Sequence, residues 1–242
     1  MPSSVNRIVE LVSKMPIGVR RPIIYNLLKT TIRYHADLVV KGEENLKQRQ
    51  GKPTIYIVNH LSNIDAPVID MFLRPYKVTY VAGKKLQDVT VTKYIMETIS
   101  TISINPGTPD KQAIKNCIEL LKSGGSLVIF PEGTRSRVGG MSQAKKGFVL
   151  LARLSGAAIV PIGLEGTEIL VPINDGNMGK ELFNKATVKI TFGEAFTLPD
   201  KRKVMVADYN RYAADYCMKK IAMNISPSYR GYYALETEEQ HS

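Results

Sequence analysis

The sequence predicts an α/β fold, a mixed and mainly parallel sheet flanked by helices, and two observations lead there. Seven short runs rich in β-branched residues, at 37–40, 54–58, 78–81, 102–104, 126–130, 158–162 and 187–192, are each bounded by turn formers. Helical patterns fall between most of them, most clearly at 67–73, 90–100, 109–121, 147–154 and 204–223. Strands that alternate with helices in this way build a sheet with helices on its faces. Gly124 and Gly125 close the helix at 109–121 before a buried strand opens. The stretch 172–185 is polar and rich in glycine and asparagine, which predicts a long surface loop or lid.

Composition bounds the rest. A chain of 242 residues that is 44% hydrophobic can bury one substantial core. Its 33 Lys plus Arg against 22 Asp plus Glu give a formal charge of +11, which favours a polyanionic partner. Nucleic acid, an anionic membrane surface and a phosphorylated substrate all satisfy that charge, but no nucleic-acid recognition motif is present. Cys117 and Cys217 lie far apart without a CxxC pair or a histidine cluster, so reduced, buried thiols are expected rather than a zinc site or a disulfide framework. The N-terminus has no apolar region followed by a small-residue cleavage site, and no segment approaches the roughly 18 apolar residues of a spanning helix. The expected protein is neither secreted nor integral to a membrane.

Three segments follow from this. Residues 1–34 carry Arg7, Lys14, Arg20, Arg21, Lys29 and Arg33, with Val5, Ile8, Val9, Leu11, Val12 and Met15, and then Ile23, Ile24, Leu27 and Leu28, near helical spacing. They read as a pair of amphipathic helices separated at Arg20-Arg21-Pro22. Such a pair can lie among anionic headgroups or pack on the domain that follows, and the sequence leaves both open. Residues 35–230 form the main domain. Residues 231–242, with Glu236, Glu238 and Glu239, read as a flexible acidic tail.

The chemistry is concentrated at two strand ends. His60 and Asp65 follow the run at 54–58. An imidazole is suited to taking a proton near neutral pH, and a carboxylate beside it can fix its tautomer and balance the imidazolium. No protein nucleophile accompanies them, so the activated alcohol is expected to be the substrate's own. Phe130-Pro131-Glu132-Gly133-Thr134-Arg135-Ser136 follows the run at 126–130. Pro131 and Gly133 shape a turn, Thr134 adds a hydroxyl, and Arg135 offers a fork for phosphate oxygens. Glu132 is expected to order that arginine or to accept from a substrate hydroxyl. In an open α/β sheet such strand ends share one cleft.

Together the two clusters resemble the signature of the glycerolipid acyltransferase family: a histidine, four residues and an aspartate in Asn59 to Asp65, then a phosphate-binding block in Phe130 to Ser136. Lys145-Lys146-Gly147 and Ile159-Val160-Pro161-Ile162 are similar to its downstream blocks. The likeness covers about Asp37 to Met223.

The resemblance implies a glycerolphosphate-acyltransferase-like fold and transfer of a fatty acyl group from acyl-CoA or acyl carrier protein to the free hydroxyl of 1-acyl-sn-glycerol 3-phosphate. His60 would be the general base, Asp65 its partner, and Glu132, Gly133, Thr134 and Arg135 would bind the acceptor. No metal or bound cofactor is implied, and a peripheral place at the cytoplasmic face of a membrane is. Two positions depart from the family. Gly83 stands where it carries a lysine, with Lys84 one place on, and Pro106 stands at an expected arginine. Lys84, Lys85 or Lys111 can compensate, and the departures favour a second acceptor class, another lysophospholipid or polar acceptor; the alternative of another class is a non-catalytic basic membrane-binding protein, for which the His60/Asp65 pair has no use.

Overall fold

A computed structural model describes residues 14–83, 96–105, 110–174 and 182–234. Its frame is a seven-stranded sheet in the order β1-β7-β6-β2-β5-β3-β4. The strands are β1 (Ala36–Lys41), β2 (Thr54–Val58), β3 (Val78–Gly83), β4 (Ser100–Ile104), β5 (Ser126–Ile129), β6 (Ala158–Glu165) and β7 (Ala186–Phe192). Every neighbouring pair is parallel except β6 with β7, so the sheet is mixed and mainly parallel. Each of the seven expected runs is a strand.

The central strands are apolar because both of their faces are covered. Every residue of β2 and of β5 is buried, the pattern of a parallel strand between two helical layers. Side-chain alternation divides them. Ile55, Ile57, Leu127 and Ile129 join one core with Phe148, Val149 and Met218, while Tyr56, Val58 and Val128 join the other with Val68, Ile69 and Ile32. Burying each such side chain stabilises the fold by about 1.5–3 kcal/mol before chain entropy is counted.

The helices that make the two layers are α1 (Ile17–His35), α2 (Glu43–Lys47), α3 (Asp65–Leu73), α4 (Lys111–Lys122), α5 (Gly147–Ser155), α6 (Thr167–Leu170) and α7 (Tyr209–Ala222). Helix α4 opens where Asp110 accepts the Ala113 N–H at 3.0 Å. Helix α7 opens five residues later than the periodicity from 204 suggested, because Asp208 caps it by accepting the Arg211 N–H at 3.0 Å. The pattern expected to be helical through residue 100 ends earlier, since Ser100 already pairs with Thr79 in β4.

At the N-terminal end, α1 begins ahead of the Arg20-Arg21-Pro22 break and runs through Pro22. A proline this near the helix start removes only one intrahelical bond. The first member of the expected pair falls on residues outside those described. Helix α1 docks through Ile32, through the Arg74 guanidinium 3.6 Å from the centre of the Tyr25 ring, and through the Arg20–Glu97 ion pair at 2.8 Å. Among the described residues no helix is long and apolar enough to cross a membrane.

The start of the expected acidic tail is docked rather than frayed. Gly231–Tyr233 form a 3-10 turn, Tyr233 is 3% exposed, and its hydroxyl donates to Asp215 at 2.8 Å and accepts the Ala144 N–H at 3.0 Å. Glu236, Glu238 and Glu239 lie outside the described residues.

Candidate active site

Strands β2 and β5 are parallel neighbours, with Ile57 beside Ile129. Their carboxyl ends therefore open side by side, and the residues that leave them meet. His60 leaves β2 after Asn59, and the loop 130–146 leaves β5. Two backbone links tie them: the Ser136 N–H donates to His60 O at 2.7 Å, and the His60 N–H donates to Glu132 Oε1 at 2.8 Å. The Phe130 ring lies against the imidazole, centroids 4.3 Å apart.

Asp65 is fully buried at the first turn of α3, and its carboxylate is saturated. Oδ2 is 2.7 Å from His60 Nδ1 and accepts the N–H groups of Leu61 at 2.7 Å and Ser62 at 2.9 Å. Oδ1 accepts the Thr167 hydroxyl at 2.6 Å. Burying a charge without partners is costly. Here four donors and the positive end of a helix compensate it. With Nδ1 committed to Asp65, Nε2 is the remaining ring nitrogen, and the side chain is 21% exposed.

Glu132 stands in the wall of the site. The side chain is 1% exposed, and its second oxygen accepts the Ser142 N–H at 2.6 Å while the first holds His60. Burial pushes its carboxyl above the ordinary range, with the N–H donors of Ser142 and His60 pulling the other way. It is a strut between His60 and the loop, each oxygen accepting one backbone N–H. Gly133 and Thr134 are exposed on the turn beyond it, and Arg135 is half-buried beside Ser136. Gly133 has φ +70, a conformation that favours glycine. The loop is closed by the Lys145 N–H, which donates to Pro131 O at 2.8 Å. Gly83 ends β3. Lys84, Lys85 and Pro106 lie outside the described residues, and Lys111 opens α4.

Three contributors had no role assigned from the sequence. Asn59 is fully buried and bridges to β6, donating to Leu164 O and accepting from Leu164 N, both at 2.8 Å. The Ser62 hydroxyl donates to Val171 O at 2.6 Å. Thr167 reaches Asp65. The segment 164–171 thus backs the whole turn that carries His60, and its partners are separated from that turn by more than a hundred positions, which no local pattern reports.

A parallel sheet with a polar cluster at its carboxyl edge is the arrangement of α/β enzymes. The chain belongs to the Acyltransferase family, whose family model matches residues 37–165. It is similar to a chloroplastic 1-acyl-sn-glycerol-3-phosphate acyltransferase of Arabidopsis thaliana, 31% identical over 147 residues that make up 57% of this chain and 40% of that protein. It is also similar to a 1-acyl-sn-glycerol-3-phosphate acyltransferase of Bacillus subtilis, 28% identical over 169 residues, 70% of this chain and 78% of that one. The chain spans 40% and 38% of the lengths of the Arabidopsis thaliana and Brassica napus relatives. The fold is shared with the crystal structure of a 1-acyl-sn-glycerophosphate acyltransferase from Thermotoga maritima, with a TM-score of 0.59 and 23% identity over 88% of this chain and 84% of that one.

Proposed function

We propose that the protein transfers an acyl group from a thioester donor, acyl-CoA or acyl carrier protein, to the free hydroxyl of 1-acyl-sn-glycerol 3-phosphate, forming phosphatidate. The observation that carries the reading is the His60 Nδ1 to Asp65 Oδ2 contact at 2.7 Å, with the imidazole side chain still 21% exposed. Membership of the Acyltransferase family and the likeness to 1-acyl-sn-glycerol-3-phosphate acyltransferases support the substrate class.

In this mechanism His60 Nε2 removes the proton of the glycerol hydroxyl as its oxygen attacks the thioester carbonyl. Asp65 keeps Nδ1 protonated and balances the charge that develops on the ring. Collapse of the tetrahedral intermediate breaks the carbon–sulfur bond, and the proton held by His60 passes to the leaving thiolate. No acyl-enzyme forms. Arg135, on the turn shaped by Gly133 and bearing the Thr134 hydroxyl, holds the acceptor phosphate, with Lys84 contributing a further charge. Glycine at position 83, where the family carries lysine, favours a second reading in which the same transfer serves another lysophospholipid.

The outward face of α1 supports peripheral attachment at the cytoplasmic face of a membrane. Leu27 is 64% and Tyr34 70% exposed on it, in line with Val19 and Ile23. An apolar stripe with Arg33 alongside suits an anionic headgroup layer.

The test is an acceptor panel assayed with both donors beside His60→Ala. Phosphatidate formation that disappears in His60→Ala, with unchanged thermal unfolding, supports the mechanism; retained turnover in the purified variant removes it. Preference for a different lysolipid selects the second reading, and Pro106→Arg then gives no gain with the phosphomonoester.

A further inference from the structure

We infer that Thr167 is a positioning residue for the proton transfer: its hydroxyl fixes the rotation of the Asp65 carboxylate and sets how strongly that carboxylate holds a proton on His60. The inference rests on the function proposed above.

Geometry comes first. The Thr167 hydroxyl donates to Asp65 Oδ1 at 2.6 Å, and both residues are fully buried. The other oxygen, Oδ2, already serves His60 Nδ1, Leu61 N and Ser62 N. Thr167 is thus the side chain that anchors the far oxygen, and without it the carboxylate keeps contacts at one end and can swing about them. The backbone brings Thr167 there deliberately. Gly166 precedes it at φ +84, and a Cβ on Gly166 would collide with the Thr187 carbonyl oxygen, so the turn into α6 admits glycine alone. The links of Asn59 to Leu164 and of Ser62 to Val171 bracket Thr167 on either side, which makes the backing segment rigid where it meets Asp65.

Energetics follow from the charge. A hydrogen bond to an ionised carboxylate stabilises the anion, and in a dry site the effect is enlarged. Removing the Thr167 hydroxyl leaves Asp65 less satisfied, so the coupled His60/Asp65 pair takes up a proton more readily. The neutral imidazole needed as a base then persists only at higher pH. Around the pair, Glu132 from the loop after β5 is an ionisable group electrostatically linked to both members. Glu165 and Glu168, which flank Thr167 in the chain, are turned instead to Ser226 and Tyr229.

The experiment uses the full chain carrying Thr167→Val, Thr167→Ala or Thr167→Ser. Histidine-selective NMR follows the titration of His60, identified among the three histidines by its loss in His60→Ala. The pH dependence of kcat and KM with lysophosphatidate is measured alongside. Deleting the hydroxyl raises the His60 titration midpoint by about one pH unit. It moves the acid limb of the rate profile the same way, and it lowers kcat roughly tenfold with KM within about twofold. Thr167→Ser restores wild-type behaviour. An unmoved midpoint in Thr167→Val, or in Thr167→Ala if the valine variant does not fold, overturns the inference, as does a serine variant that fails to restore. If the wild-type protein does not acylate lysophosphatidate, the proposed function fails, and the NMR titration still decides the role of Thr167.

Discussion

Glu132 Oε1 accepts the backbone N–H of His60 at 2.8 Å, so the acid that follows β5 holds in place the residue that follows β2. Its other oxygen holds Ser142, ten positions on, at 2.6 Å. One buried side chain therefore ties the base to the full length of the loop bearing Gly133, Thr134 and Arg135. His60 and the loop are mechanically one unit.

Glu132→Gln tests that unit. Two N–H donors require two acceptors, and an amide offers one carbonyl oxygen and one NH2 group. A donor left facing NH2 costs about 1–3 kcal/mol. Displacement of His60 by even an ångström costs about 100-fold in rate. Chemical denaturation and steady-state acylation measured together should show both losses, and a glutamine variant as active as wild type would sever Glu132 from the positioning of His60.

Asn59→Ala should be costly for a different reason. The Asn59 side chain stands in for the backbone ladder where β2 and β6 part, satisfying both the N–H and the C=O of Leu164 in the interior. Its removal strands two buried backbone groups at about 1–3 kcal/mol each. Unfolding by urea reads this directly, and Asn59→Asp, which can serve only the N–H, should fall between alanine and wild type.

The sheet was legible because each strand is a short β-branched run between turn formers, and β2 and β5 are apolar throughout for a reason the sequence displays, namely burial on both faces. His60 and Asp65 were legible because five positions suffice to close their contact. Glu132 was legible as part of the cluster, but only the three-dimensional neighbourhood reveals that His60 N and Ser142 N donate to it. Thr167 was not legible at all, since its pairing with Asp65 spans β3, β4, β5 and β6. Boundaries slipped where a cap outweighed periodicity, as at Asp208.

The two cysteines should be silent in the native protein. Both are buried, and burial pushes the Cys117 thiol from 9.0 to about 11 and the Cys217 thiol to about 12. A thiol whose folded value lies above its unfolded one adds stability that is intact below pH 9.0 and is lost as pH rises towards 11 and 12. Thiol titration near pH 8 should therefore label neither cysteine in minutes and both after denaturation, with unfolding eased above about pH 9. Rapid native labelling of either would contradict the burial.

The outer face of α1 gives the last test, because the inner face already has partners. Ile32, Tyr25 and Arg20 are engaged with the domain, whereas Ile23 and Leu27 sit one turn apart with their side chains in solvent. Replacing both by glutamate leaves the docking contacts untouched and should leave thermal unfolding unchanged. It removes two apolar insertions worth about 1.5–3 kcal/mol each and adds charge repelled by anionic lipid. Partition onto phosphatidylglycerol-containing vesicles should then fall at least about tenfold. Equal partition by the double variant would assign membrane contact to a different surface, and loss of folding would mean that this face packs against protein.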